Sequence, residues 1–583
     1  MKVAIKLEKL FYIPYAAAFF VLLSQPLKSS CLLYSCLGLL AGTTLCVFSG
    51  GRPEGRGSLI IKFLAAVLGA LFLWSVSSEF FMISWKALQG SMMELLKRAF
   101  ADGEKGLRFL RALLVVLAFP FVWRVLAGVL FFVTAAVKSM RLGDFWRELT
   151  SAFRRGGHGL RDAGMLLLNL FLAVAAGTLL LALAYLLPTG PIDANVKKSA
   201  PIIQEEDTYA IVSLLFYSRL DNYTDSIMML EAADDSQGSA LEKAMNVPQG
   251  VIDGKDPPNS LVGHYCDGVE FDSIRGYPRY WHGYLVFLKP LLSVMDYSRI
   301  RILNGACQLL VLVWLCVLLT RRGLGRYILP VLLMYLMLRP VGLSKSMQFS
   351  SCYYVLMFGS LTVLYAGGRK SRQSMVPVFL NIGIATAFFD FLTYPIATFG
   401  VPAAFCLVLG KDDSVEKRLS DLVKNGLGWC LGYGGMWALK WVLAGALLGR
   451  SVIADAVNTF AVRSSNAINW STGAEIVSPL SCAIYNITWF FTTPCSVLVL
   501  LLVFFLLYRG RRLDSFSMRA APVFFPFFLL SFASAVWYAF AVNHSIMHGW
   551  FTYRACVIML LSLLFGAIQV VEDPDVKRGK SAG

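Results

Sequence analysis

Asp221 and Asp225 stand four residues apart in Leu220-Asp221-Asn222-Tyr223-Thr224-Asp225. Four residues make about one helical turn, so both carboxylates can face one side of a helix. A carboxylate placed beside an acceptor hydroxyl can take its proton as a general base. Asp193, in Leu187-Pro188-Thr189-Gly190-Pro191-Ile192-Asp193, is a third candidate for the same role, and the residues alone do not choose among the three. For each of them a solvated acidic loop is the plainer alternative.

The cations and histidines form the second set. Arg339, Lys345 and Gln348 lie in one ten-residue stretch, Arg339-Pro340-Val341-Gly342-Leu343-Ser344-Lys345-Ser346-Met347-Gln348. Lys440 sits inside an apolar run between Trp437 and Trp441, and Asp390 ends another in Phe388-Phe389-Asp390-Phe391-Leu392-Thr393-Tyr394-Pro395. Asn543, His544, His548 and Arg554 lead into the last apolar run, and Arg279, Tyr280, Trp281 and His282 belong to an aromatic string at 277–284. Ionisable groups in apolar spans cost about 2.5 kcal/mol or more each and usually face a polar cavity or a partner. The plainer alternatives are a snorkelling Lys440, an Asp390 that only neutralises Arg339, Lys440 or Arg554, and an aromatic string that anchors at the headgroup level. His544 and His548 have helical metal-pair spacing, but no glutamate follows the metalloprotease pattern, so no metal site is expected there.

The elements that must position these groups are membrane helices. The chain has 583 residues, 57% hydrophobic and 15% charged, with a net charge of +17. A soluble domain is roughly 45–50% apolar and about 25% charged. Soluble, fibrous, disordered and small disulfide-rich classes are therefore disfavoured. Apolar runs near 10–25, 31–49, 58–78, 110–137, 163–187, 302–320, 327–343, 350–367, 376–391, 393–410, 425–448, 485–508, 520–542 and 549–571 predict about fourteen spans. Basic clusters then recur on one face, which the positive-inside rule makes cytoplasmic, with both termini on that side. The charge is thus a loop signal, and no nucleic-acid partner is expected. Residues 79–109 resist this topology and read as an amphipathic helix on the membrane surface.

The expected fold is all-α, a polytopic helix bundle with a large helical extracytoplasmic loop after the fifth span. The chain divides into 1–187 with about five spans, the loop 188–301, and 302–583 with about nine. The loop holds 16 Asp and Glu against 10 Lys and Arg. Helical patches are predicted at Asp207–Tyr217, Ser226–Ala233 and Leu241–Met245. His264, His282, His544 and His548 all map to the same outer side. Cys266 alone of the twelve cysteines lies deep in that loop, with no evident disulfide partner. No CxxC, HExxH or phosphate-binding glycine motif occurs in a fitting context.

In its long loop after Leu187, its acidic pairs and its polar later turns, the chain resembles the GT-C superfamily of integral-membrane glycosyltransferases. The segments Leu220–Met229, Arg279–Gly283, Phe389–Pro395 and Asn543–Arg554 look like those of bacterial membrane proteins from surface-polysaccharide gene clusters. The resemblance covers roughly 188–560. It implies a bacterial cytoplasmic membrane location, a polyprenyl-phosphate-linked sugar as donor, and a cell-envelope glycan or lipid as acceptor. It implies Asp193, Asp221 or Asp225 as base, with Arg279, Arg339, Lys345, Lys440 and Arg554 toward the lipid phosphate. It also implies no cofactor in many members, while others use a divalent metal. An early loop carboxylate favours Asp193, and the Asp-Asn-Tyr-Thr-Asp string favours Asp221 or Asp225. The chain departs from the pattern in one respect: no acidic pair follows the fifth span directly, and Glu206-Asp207 comes later. A transporter, flippase or polymerase of lipid-linked glycans is the alternative expectation, as is a non-catalytic assembly protein.

Overall fold

The computed structural model describes residues 133, 136–154, 157–213, 218–367, 374–470, 473–491 and 521–572. The first three expected spans, nearly all of the fourth, the surface helix at 79–109 and most of the span at 485–508 lie outside these residues. Two compact units are present: 1–139 with 480–488, and 140–479 with 489–583. Everything below concerns the second.

The second unit begins with α1 (Leu142–Arg154) and α2 (Gly157–Tyr185). The segment after α2 folds as α3 (Thr189–Glu205), β1 (Ile211–Ser213), β2 (Ser218–Arg219), α4 (Asn222–Ala233) and α5 (Ala240–Asn246). It continues through β3 (Pro248–Val251), α6 (Pro257–Tyr265), β4 (Ser273–Gly276) and α7 (Leu285–Leu292). Then come α8 (Tyr297–Arg321), α9 (Ile328–Met337), α10 (Pro340–Lys345), α11 (Met347–Ala366), α12 (Val376–Phe389), α13 (Ile396–Leu409) and α14 (Val415–Leu448). The remaining elements are α15 (Val452–Ser464), the hairpin β5 (Ala467–Trp470) and β6 (Gly473–Ile476), and α16 (Pro479–Phe491), whose residues 480–488 belong to the first unit. Last are α17 (Ala521–Ser531), α18 (Ala533–Phe540), α19 (Val542–Met547), α20 (Gly549–Thr552) and α21 (Val557–Glu572).

Six helical stretches among the described residues are long and apolar enough to cross a membrane, and three apolar helices are shorter. Leucines and phenylalanines on α2 and α8, such as Leu172 at 60% and Leu310 at 68% exposure, cover their outer faces. Apolar surface on this scale fits a lipid environment.

Three expectations change in detail. Residues 207–213 form a turn and a strand instead of a helix. Asp207 takes a left-handed φ of 63°, which ends α3, and Ile211 pairs with Arg219 antiparallel. The run at 327–343 stops at Met337, because Arg339 has φ 61° and Pro340 restarts the chain as the separate α10. The runs at 376–391 and 393–410 become α12 and α13, 14 residues each. Each is about 21 Å long, shorter than the roughly 30 Å hydrocarbon core. Between them the 390–395 segment is irregular backbone buried in protein, the setting in which a membrane fold tolerates it.

Local chemistry explains the element starts. Asp221 caps α4, Asp256 caps α6 ahead of Pro257-Pro258, Asp296 caps α8, and Ser239 with Glu242 forms a capping box on α5. Each such cap is worth about 1 kcal/mol. Small residues bring α12 and α14 together. A Cβ on Gly432 would collide with the Leu380 carbonyl oxygen, and one on Gly383 with that of Trp429. Close backbone approach at small residues is the usual way membrane helices associate. One apolar core then joins α2, α12 and α14 to α3, α4, α5 and α7, with Met228, Leu261, Trp281 and Leu285 fully buried in it. The 188–301 segment is therefore built onto the membrane helices.

Candidate active site at the start of α4

The first turn of α4 carries both aspartates into the interior. Asp221 is 3% exposed and Asp225 is fully buried. Asp221 accepts hydrogen bonds from the Thr224 backbone N–H at 3.2 Å and from the Thr224 hydroxyl at 2.9 Å. Its own N–H donates to Ser346 Oγ at 3.0 Å. Burial pushes the Asp221 carboxyl up to about 6, while the Thr224 hydrogen bonds and the charge of Arg554 hold it from rising further. Asp225 is pushed further, to about 8, again mainly by burial, with Arg301 opposing and Asp221 adding to the rise.

Cations surround them. Arg301, one turn into α8, donates to Glu206 Oε2 at 2.8 Å and to Asn222 Oδ1 at 2.9 Å, and its Nη2 lies 4.0 Å from Asp225. Lys345 lies 3.6 Å from Glu206 with its side chain 41% exposed, so it remains open to an incoming anion. Arg554 is buried against the Phe349 ring at 4.0 Å and donates to Leu338 O at 3.1 Å. The cluster combines a carboxylate ionised near neutrality, a second that keeps its proton, and positive charge for an anion. That set can remove a proton from a hydroxyl and stabilise an anionic leaving group.

An apolar groove of about 850 Å³ runs along α8 and α11, the helices that carry Arg301 and Met347. Its walls are α8, α11 and α12, from Phe358 and Ile382 up to Ile300 and Met347. The Met347 backbone N–H also favours the charged form of Asp225, though neither carboxylate oxygen has a hydrogen-bond partner among the described residues. Ile300 precedes Arg301 on α8 and Met347 follows Ser346 in sequence, while Asp221, Asp225, Arg301 and Lys345 are not among the residues that line the groove. Among its few polar linings, Asn304 donates to Ser344 O and to Ser350 Oγ, both at 2.8 Å.

The other expected site residues are placed as follows. Asp390 accepts from the Thr393 backbone N–H at 3.0 Å and pairs with neither Lys440 nor Arg554. Tyr394, in the same break, donates to Phe349 O at 2.6 Å and so ties the 390–395 segment to the ring beneath Arg554. Arg339 lies over the Tyr553 ring at 3.9 Å and donates to Trp489 O. Gln348 is buried in the first turn of α11. His544 donates from Nε2 to Leu392 O at 2.7 Å, so Nδ1 accepts from Arg463 at 2.9 Å. Burial and the Arg463 charge hold His544 well below its ordinary pKa and His548 down to about 4. Both His544 nitrogens are thus engaged, and no group of three metal-ligating side chains occurs among the described residues.

Several candidates lie elsewhere. Asp193 accepts from the Tyr265 hydroxyl at 2.7 Å. It stands 13 residues before Glu206, about 20 Å along α3. Lys440 donates to Ala244 O at 3.0 Å and Met245 O at 3.1 Å, and so fastens the end of α5. Arg279 forms a two-pronged pair with Asp455 at 2.9 and 2.8 Å. Trp281 donates to Met436 O, His282 sits between Glu231 and Tyr277 O, Tyr280 packs edge-on to Trp437, and Asn543 donates to Ala467 O. These are packing and tethering roles.

Glu206, Asn222, Arg301 and Ser346 join the site without having been singled out as its members. Arg301 had a usable signal: it is a charged residue one turn into an apolar run that begins at the Asp296 cap. Ser346 had none. No family model, curated protein or solved structure matches the chain.

Proposed function

We propose that the chain is a membrane glycosyltransferase-like enzyme. It takes a sugar from a polyprenyl-phosphate donor and passes it to a glycan or lipid acceptor of the cell envelope, on the outer face of the bacterial cytoplasmic membrane. The observation that carries this reading is the buried Asp221, Asp225 and Arg301 cluster, with an apolar groove along the same helix α8. A long apolar chain fits the groove walls, and its phosphate then comes level with Lys345 and Arg301.

In this reading Asp221 takes the proton of the acceptor hydroxyl. The acceptor oxygen bonds to the anomeric carbon, and the bond from that carbon to the phosphate oxygen breaks. The electron pair leaves on the phosphate, facing Lys345 and Arg301. Attack opposite the leaving group inverts the anomeric centre. Asp225, holding its proton near neutrality, limits the negative charge beside the departing phosphate.

The test is transfer from a panel of radiolabelled polyprenyl-phosphate hexoses in membranes containing the full chain. Asp221→Asn should abolish transfer, Asp225→Asn should retain much of it near pH 6.5, and Asp193→Asn should retain it. Full activity of Asp221→Asn overturns the proposal. The irregular 390–395 break between two short helices favours a second reading, a transporter, flippase or polymerase of lipid-linked glycans. For the flippase, movement of a lipid-linked glycan between leaflets would survive Asp221→Asn.

A further inference from the structure

A second groove, of about 610 Å³, lies between α14, α15 and α18, away from Asp221. One wall is an aromatic ladder. Trp429, Tyr433, Trp437 and Trp441 recur every fourth residue of α14 and so share one face. Their successive ring centroids are 4.8, 5.1 and 5.9 Å apart. From Trp429 to Trp441 the ladder rises about 18 Å, a little more than half of a hydrocarbon core of roughly 30 Å. The opposite wall is apolar, with Phe460, Val536 and Phe540 left substantially exposed.

Three polar groups of this groove lack a hydrogen-bond partner among the described residues. Trp429 Nε1 donates to Thr398 and Trp441 Nε1 donates to Arg279 O. Tyr433 Oη, Trp437 Nε1 and Trp537 Nε1 are buried and meet no partner among the described residues. Buried indole and phenol groups normally find one. At the mouth, Arg279 is balanced by Asp455. Arg463 is not: its bond goes to His544 Nδ1, a neutral acceptor, and no carboxylate lies within 4.0 Å among the described residues. A chain-lined slot with unmet donors and one uncompensated guanidinium asks for an amphiphile whose acceptors are negatively charged.

We propose that this groove binds one anionic phospholipid of the bilayer, its phosphate on Arg463 and an acyl chain along the Trp429–Trp441 ladder. The site is separate from the substrate groove and stands whether or not the chain transfers sugars. Arg463 reaches, through His544, the backbone of Leu392, so lipid at this mouth braces the 390–395 break.

Native mass spectrometry of the delipidated full chain tests it, with phosphatidylglycerol and phosphatidylcholine as probes and inorganic phosphate as competitor. One phosphatidylglycerol should be retained in preference to phosphatidylcholine. Arg463→Ala should weaken that binding about tenfold, the loss of one charge-assisted contact, and Arg463→Lys should restore part of it. Trp437→Phe removes the unmet N–H together with one ring of the indole from this wall, so it too should weaken binding. Equal retention of both lipids overturns the proposal, as does phosphatidylglycerol binding untouched by Arg463→Ala. Displacement of the lipid by millimolar phosphate shows a headgroup site only and overturns it too.

Discussion

Asp225→Asn offers the sharpest test of the site electrostatics. Burial raises this carboxyl from 3.8 to about 8. That is roughly four pKa units, and at about 1.4 kcal/mol per unit the folded state disfavours the carboxylate by on the order of 5 kcal/mol. Because the folded value is the higher one, the stability associated with protonated Asp225 is complete below about pH 4. It declines as pH rises and is gone above about pH 8. Asparagine keeps the shape without that loss. The variant should therefore match the wild type near pH 4 and exceed it progressively up to pH 8, by a few kcal/mol, with a constant gap beyond. Thermal unfolding in detergent across pH 4–9 reads this directly. The opposite result refutes the reasoning: a variant several kcal/mol less stable at pH 8 means that Asp225 is ionised and paired with Arg301, since removing one partner of a buried ion pair costs about 3–5 kcal/mol.

Other outcomes follow from the same geometry. Transfer activity should rise through about pH 6 as Asp221 ionises and fall through about pH 8 as Asp225 loses its proton; Asp225→Asn should remove the alkaline limb and leave the acid limb in place. Asp221→Asn should lower kcat by about 10²–10⁴-fold with little change in KM, as loss of a general base does. Lys440→Met should expose the α5 end to proteolysis near Asn246 and leave donor KM unchanged, whereas a phosphate-binding lysine would raise KM. Gly432→Val should prevent close packing of α12 on α14 and lower the unfolding temperature markedly, with Gly434→Val, which has open space around it, as the silent control.

The apolar runs determined the helices by themselves, because in a bilayer each backbone polar group must be satisfied within its own segment. The runs beginning near 302, 350, 376 and 393 became α8, α11, α12 and α13 with ends shifted by a few residues. The Asp221/Asp225 pair was equally legible, since the four-residue spacing is a property of the helix alone. Lys440 and Asp193 were not legible. Each carries the right charge at a plausible depth, and what separates a ligand cation from a helix tether is the partner. Those partners are Ala244 and Met245 for Lys440, some 195 residues away in sequence, and Tyr265 for Asp193, 72 residues away. Ser346 reaches Asp221, and Arg301, held by Glu206, reaches Asp225, only after α3, α4, α8 and α10 have packed. Sequence periodicity decides which face of one helix a side chain occupies. Burial, and with it the raised carboxyl pKa values and the apolar groove along α8, arises only when several such faces close on each other and exclude water.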